Sequence, residues 1–395
     1  MQRKFTPVLL TLFSSILVLN ANSVSAVEPA AVAIGEMNLY PSLSFATGHD
    51  DNILAEETGE QSSRVTRITP NLLLEAETDN TLYRLNYSIQ KGILHSSNAD
   101  NYLDHNLTGT ANIIGNSRNR VDIQVEVIKG HEARGDESGG ATTTSDSPLE
   151  FDLNTLQAIY TYGGEDAIGR IELSLGYDNK DFTNFSSITD SRNYDRISFG
   201  AQFNYKVTGK TSAVFQATQN KIDYDEASVT KDNTNTRFLV GATWEATAKT
   251  SGTVKVGWAD KNFKDDSRTD TDGGTWDASI NWNPRTYSTV ILTTGQEFGE
   301  STTADSSIDT SNYGVNWGHY WNDNLKTTVS YNLVNHDYSN STRDDDTKTL
   351  LVGINHETRR WLNLGLGYTM VDKDSNLAGS SFKKNVLMFT AQGSL

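Results

Sequence analysis

The stretch Asp195-Arg196-Ile197-Ser198-Phe199-Gly200-Ala201-Gln202-Phe203-Asn204-Tyr205-Lys206 decides the fold. Successive side chains of an extended chain point to opposite sides. Ile197, Phe199, Ala201, Phe203 and Tyr205 therefore form an apolar face, and Arg196, Ser198, Gly200, Gln202, Asn204 and Lys206 form a polar one. In a water-soluble sheet the apolar face would pack on a second layer, but the chain has no apolar helical run to supply it. The remaining arrangement puts lipid against the apolar face and water against the polar one, as in a transmembrane β-barrel.

The same rhythm recurs along the chain. Val121, Ile123, Val125 and Val127 alternate with Asp122, Gln124 and Glu126, and Ile171, Leu173, Leu175 and Tyr177 alternate with Arg170, Glu172, Ser174 and Gly176. Near the end, Leu362, Leu364, Leu366 and Tyr368 alternate with Asn363, Gly365, Gly367 and Thr369. Slipping a strand by one residue would carry charge into hydrocarbon, at ~2 to 4 kcal/mol for an Arg at the midplane, so the register is firmly specified.

Connections between strands alternate in length. Short turns fall at Thr78–Asn80, Gly115–Ser117, Gly163–Ala167, Thr208–Lys210, Thr247–Lys249, Asn283–Thr286, Asn322–Asn324 and Thr358–Arg360. Between them lie longer polar segments such as Gly48–Ser63, Gly130–Pro148, Asn179–Asn193 and Phe298–Thr310. Short turns on one rim and long loops on the other are the outer-membrane arrangement, and the spacing predicts a single antiparallel barrel of about 18 strands, with 16 as the alternative. Tyr83, Tyr162, Tyr205, Trp244, Trp282, Tyr287, Trp321 and Trp361 sit beside short turns, while Tyr177, Tyr194, Trp258, Trp276, Tyr313 and Tyr368 lie toward the long-loop ends. Two such belts are expected where amphipathic rings meet lipid headgroups, periplasmic and outer respectively.

The chain opens with Arg3 and Lys4, an apolar stretch from Val8 to Leu19, and the small residues Val24-Ser25-Ala26. Residues 1–26 read as a secretory signal peptide, 27–36 as a flexible Ala-rich lead, and 37–395 as the barrel. No stretch reaches the ~20 apolar residues of a spanning helix. Export and the absence of cysteine exclude disulfides and thiolate chemistry. The formal charge of -17 excludes a nucleic-acid partner, since no basic stripe exists. Mean hydropathy is only -0.51, as expected when every second strand residue faces water.

The inner wall is expected to carry Arg67, Arg84, Glu126, Arg170, Glu172, Arg196, Arg237, Glu245 and Lys255, a mixed set that would place a transverse field across a wet lumen. Acidic clusters such as Asp344-Asp345-Asp346 lack the ligand spacing of an EF-hand, so no metal or cofactor is expected. His49 with Asp50, and His336 with Asp337, resemble the acid–base pairs of outer-membrane hydrolases. Adjacent strand residues point apart, however, and neither G-x-S-x-G nor H-E-x-x-H is present, so no catalytic residue is expected.

The segment Leu39-Tyr40-Pro41-Ser42-Leu43 through Asp50-Asp51-Asn52-Ile53-Leu54 resembles the opening strand of the putative β-barrel porin 2 family. The likeness continues in Ile68-Thr69-Pro70-Asn71-Leu72, Tyr102-Leu103-Asp104-His105 and Glu132-Ala133-Arg134-Gly135, with Pro41, Asp50, Asp51, Asn52, Pro70, His105 and Arg134 as the matching positions. The C-terminal Gly393-Ser394-Leu395 departs from the aromatic end on which many such barrels finish. The resemblance implies a non-enzymatic barrel of the bacterial outer membrane, acting as a channel or docking component in exopolysaccharide secretion. A general or solute-specific diffusion porin is the alternative, and a surface adhesin or matrix-binding scaffold a third. Expected partners are outer-membrane lipid and lipopolysaccharide, the barrel assembly machinery, polysaccharide and export-system proteins.

Overall fold

The computed structural model describes residues 31–135, 145–164, 166–247, 249–300, 307–339 and 341–394. The expected signal peptide lies outside these residues, as does the start of the lead. A short strand β1 (Val32–Ile34) is followed by β2 (Met37–Asp50), β3 (Ser63–Glu77), β4 (Thr81–Leu94), β5 (Tyr102–Ile114) and β6 (Asn119–Glu132). Next come β7 (Leu149–Tyr162), β8 (Gly169–Phe182), β9 (Tyr194–Thr208), β10 (Thr211–Tyr224), β11 (Asn233–Thr247) and β12 (Thr250–Phe263). The chain ends with β13 (Thr271–Arg285), β14 (Ser288–Glu300), β15 (Ser307–Asn322), β16 (Leu325–Tyr338), β17 (Asp344–Arg359), β18 (Leu362–Ser375) and β19 (Phe382–Ser394).

Strands β2 to β19 pair antiparallel in sequence order, and β19 pairs with β2 from Ser394↔Ser42 to Val386↔Asp50, closing an 18-strand barrel. Closure leaves no sheet edge facing hydrocarbon, so the backbone groups are satisfied where water is missing. A typical strand here has 14 residues; at about 3.3 Å per residue and about 40° of tilt it rises about 35 Å, more than the apolar core of a bilayer. Strand ends therefore project beyond the membrane. The lead is not wholly unstructured: β1 folds back on β2 through Gly35, which adopts φ +62°. Pro70, which has no N–H to give, coincides with a gap in the β3–β4 ladder between Ile68↔Lys91 and Asn71↔Ser88.

Exposure follows the sequence alternation. Leu43 and Phe45 on β2, Ile171, Leu173 and Leu175 on β8, and Ile197, Phe199 and Phe203 on β9 are all exposed, although each is large and apolar. On a closed barrel the face that bears them is the outer one, and the intervening polar residues line the inside. Tyr83, Tyr162, Tyr205, Trp282, Tyr287, Trp321 and Trp361 are exposed near the short turns, and Tyr177, Trp258, Tyr313 and Tyr368 nearer the long loops. Tyr194 does not join the outer belt. It shares the parity of Arg196, points inward and lies 6.1 Å, ring to ring, from Tyr224.

Candidate functional site

Within the long-loop half, the barrel does not keep a uniform bore. The β13–β14 ladder runs from Arg285↔Ser288 only as far as Asp277↔Gly295. Beyond that point β13 stays paired to β12 down to Thr271, and β14 stays paired to β15 as far as Glu300↔Ser307. The two strands part. Gln296 and Phe298 share the outward parity of Leu292, yet they are 4% and 6% exposed. The Phe298 ring lies 3.4 Å from where a Cβ would stand on Gly273, an inward position of β13. The tip of β14 has thus left the wall and lies against the inner surface of its neighbours.

Inward side chains hold it there. The Gln296 carbonyl accepts from Thr275 Oγ1 (2.6 Å) and Arg237 Nη2 (3.2 Å), the Phe298 carbonyl from Asn235 Nδ2 (3.1 Å), and the Gly299 carbonyl from Lys261 Nζ (2.7 Å). For Gln296 and Phe298 these donors replace the ladder partners that β13 no longer provides, which keeps buried carbonyls satisfied. The Glu300 carboxylate accepts from Lys261 Nζ (2.6 Å), Tyr224 Oη (3.0 Å) and Asn233 Nδ2 (3.2 Å), groups on three other strands. Lys261 is fully buried there. Glu297, of opposite parity to Phe298, shares the lumen with the charges of Arg237, Arg196 and Asp277. Behind it, burial and then the Arg268 guanidinium pull the Lys231 ammonium below its ordinary range.

The facing wall is built from β6, β7 and β8. Leu149, Phe151, Leu153 and Phe182 form an apolar cluster on inward positions, with Ile128 and Phe185 packed against it. Such a cluster inside a wet lumen needs a cover, and the β8–β9 connection supplies it, with Asn184 Nδ2 donating to the Pro148 carbonyl at 3.0 Å. Glu132 bridges Lys180 (2.8 Å) and Arg192 (2.6 Å). Both cations also sit over the Phe182 ring, at 4.6 and 4.5 Å. Burial of this triad is tolerable because each charge has its partner, whereas removing one would strand the others.

The expected inner-wall residues are spread along the whole bore. Arg84 pairs with Glu75 (2.8 Å), Arg170 with Glu172 (2.9 Å) and Arg196 with Asp178 (2.8 Å). Glu126 accepts from Asn106 (2.8 Å), and Lys255 donates to Gln216 (2.9 Å) with Asp277 at 3.8 Å. Arg67 lies beside Tyr102. Glu245 stands apart, exposed at a bulge between Trp244 and Thr247 near a short turn. Only Arg196, Arg237 and Lys255 belong to the narrowed zone. Sequence reasoning missed Glu132, Lys180, Arg192, Lys261 and Glu300. Lys180 shares the parity of Arg170 and Glu172, but the loop boundary drawn at Asn179 placed it outside the strand.

The family-like residues do not gather at one place: Asp50, Asp51 and Asn52 lie at the long-loop rim where the first and last strands meet, Arg134 follows β6, and Pro41, Pro70 and His105 lie within strands β2, β3 and β5. Asp51 accepts from the backbone and side-chain N–H groups of Asn385 (2.6 and 2.8 Å), and Asp50 pairs with Lys384 (3.2 Å). Buried Asn52 donates to the carbonyls of Glu56 (2.8 Å) and Lys383 (2.9 Å) and accepts from the Glu56 N–H (3.0 Å). Arg134 grips Asp100 through Nε (2.7 Å) and Nη2 (2.5 Å). Burial raises the Asp100 carboxyl, but the bonds from Arg134 and Ser97 outweigh it and hold the group below its ordinary 3.8. Gly135 (φ +77°) passes so close to the Leu54 carbonyl that a Cβ would stand 1.9 Å from it. His105 meets Tyr87 Oη at 2.9 Å, and Pro41 lies opposite Leu72. Asp51, Asn52 and Arg134 brace the long loops, whereas His105 and Pro41 belong to the strand wall.

A family model described as putative beta-barrel porin 2 matches residues 25–394. The chain belongs to that family. Among solved structures, Pseudomonas aeruginosa OpdO is 10% identical with a TM-score of 0.51, covering 90% of this chain and 97% of that one. Pseudomonas aeruginosa OpdK, solved with vanillate, is 10% identical with a TM-score of 0.50, covering 90% of this chain and 99% of that one. At this identity the likeness carries the fold alone. No curated protein matches the chain in sequence. Membership of a porin family, together with the closed barrel and its apolar belt, identifies a porin-like protein of the bacterial outer membrane.

Proposed function

We propose that this barrel is a channel for small hydrated polar solutes, narrowed and made selective by the inward tip of β14. The observation that carries the reading is the gathering of Glu297 and Glu300 with Arg196, Arg237 and Lys261 inside a lumen whose wall is polar apart from the covered cluster of β7 and β8. Opposed charges in a confined lumen discriminate solutes by charge and dipole. No covalent chemistry belongs to this reading: His49 and Asp50 point to opposite faces, and Asp50 is already engaged by Lys384 and the Asn52 N–H. Purified barrel in planar bilayers, without partners, is expected to give steady conductance steps whose ion selectivity shifts toward cations in Arg196→Glu. A silent barrel would overturn the proposal.

Exopolysaccharide secretion, which the family resemblance implies, is the second reading. One feature favours it: among the described residues the obstruction is a strand tip held by side chains, which a polymer or export protein could displace. Loss of surface polysaccharide on gene deletion, with solute uptake unchanged, would support this role, and unchanged polysaccharide would remove it. In either case lipid and lipopolysaccharide would contact the outer apolar belt, and the assembly machinery would insert the barrel.

A further inference from the structure

We propose that the tip of β14 is a gate, exchanging between its tucked position and an in-register ladder with the vacant end of β13. The proposal rests on the channel reading. Register comes first. Extending the ladder beyond Asp277↔Gly295 would place Trp276 opposite Gln296, Thr275 opposite Glu297, Gly274 opposite Phe298 and Asp272 opposite Glu300, all within strands that are already extended. No rebuilding of either strand is needed. The same movement returns Gln296 and Phe298 to the outer parity they share with Leu292, so the second position is the one the sequence alternation itself specifies.

Both positions satisfy the backbone. In the tucked state the carbonyls of Gln296, Phe298 and Gly299 take donors from Thr275, Arg237, Asn235 and Lys261. In the ladder state β13 N–H groups would serve the Gln296 and Phe298 carbonyls instead, the Gly299 carbonyl would face β15, to which it stays paired, and the freed polar side chains would face lumen water. Neither state orphans a buried carbonyl, which is the condition for two discrete arrangements of one element. Glycine marks the parting on both sides: Gly295 stands at the last pair, and Gly273 lies beneath the Phe298 ring. A side chain at position 273 would meet that ring at 3.4 Å.

The chain has no cysteine, so the exchange can be trapped. Thr275→Cys with Glu297→Cys would face each other across the ladder state, where facing Cα atoms are about 4.5 to 5.5 Å apart, within disulfide reach. Oxidation of the folded double variant is expected to give a crosslink that thiol reductant reverses, and the oxidised barrel is expected to hold a higher single-channel conductance than the reduced one. Lys261→Met, which removes two bonds to the tip, is expected to speed crosslinking several-fold. A conducting barrel that never crosslinks would overturn the gate and leave the channel standing, as would a crosslinked barrel of unchanged conductance. Silence of both oxidised and reduced barrels would instead overturn the channel reading itself.

Discussion

Phe199→Arg and Ser198→Arg, neighbours on β9, put the partition of the wall to a direct test. Phe199 is 55% exposed on the outer face and lies about midway along the strand, between Asp195 and Tyr205. An Arg there meets hydrocarbon, at ~2 to 4 kcal/mol, and the lost lipid contact of the ring adds about 1 kcal/mol. Ser198 faces inward, opposite Asn220 and Gly176, where an Arg can extend into water for about 0.5 kcal/mol. The same residue type, one position apart, should therefore differ by several kcal/mol. Urea titration of barrels refolded into lipid vesicles, followed by the fluorescence of the seven tryptophans, would measure both. Equal costs, or a larger cost at Ser198, would refute the assignment of lipid and lumen faces.

Three further outcomes follow from named contacts. Asn52→Ala removes three hydrogen bonds that join the β2–β3 loop to itself and to β19. At about 1 kcal/mol each, the variant should lose roughly 3 kcal/mol in the same titration. Glu132→Ala leaves Lys180 and Arg192 buried beside each other and should cost about 3 to 5 kcal/mol, while Glu132→Ala with Lys180→Met should recover part of it. Asp100 sits below its unfolded value of 3.8, so its contribution is complete above that pH and is lost as pH falls through the folded value. Proteolysis of the β4–β5 and β6–β7 connections should accordingly rise only under strong acid, and Asp100→Asn should make them sensitive at neutral pH.

The barrel was readable because its physics is local. Alternation at Ile197 to Tyr205 says which side is lipid, and turns such as Thr78–Asn80 fall where the structure has them. The narrowed zone was not readable, because nothing local distinguishes Gln296 and Phe298 from other outward residues. Their inward position depends on donors at Arg237, Asn235 and Lys261, which are remote in sequence and meet only after the wall has curved. The glycines at 273, 274, 295 and 299 were the available signal. Tyr194 was misassigned for the opposite reason: proximity to a loop outweighed its shared parity with Arg196, which was already visible.

The clasp formed by Asp51, Asn52, Asn385 and Lys383 sits where the chain's beginning is sealed to its end. Asn385 and Lys383 belong to β19, whose pairing with β2 closes the cylinder. Sliding β19 by a single residue would invert its faces and also carry Asn385 away from Asp51. The latch is therefore specific to one alignment of the seam, and any other register forfeits it.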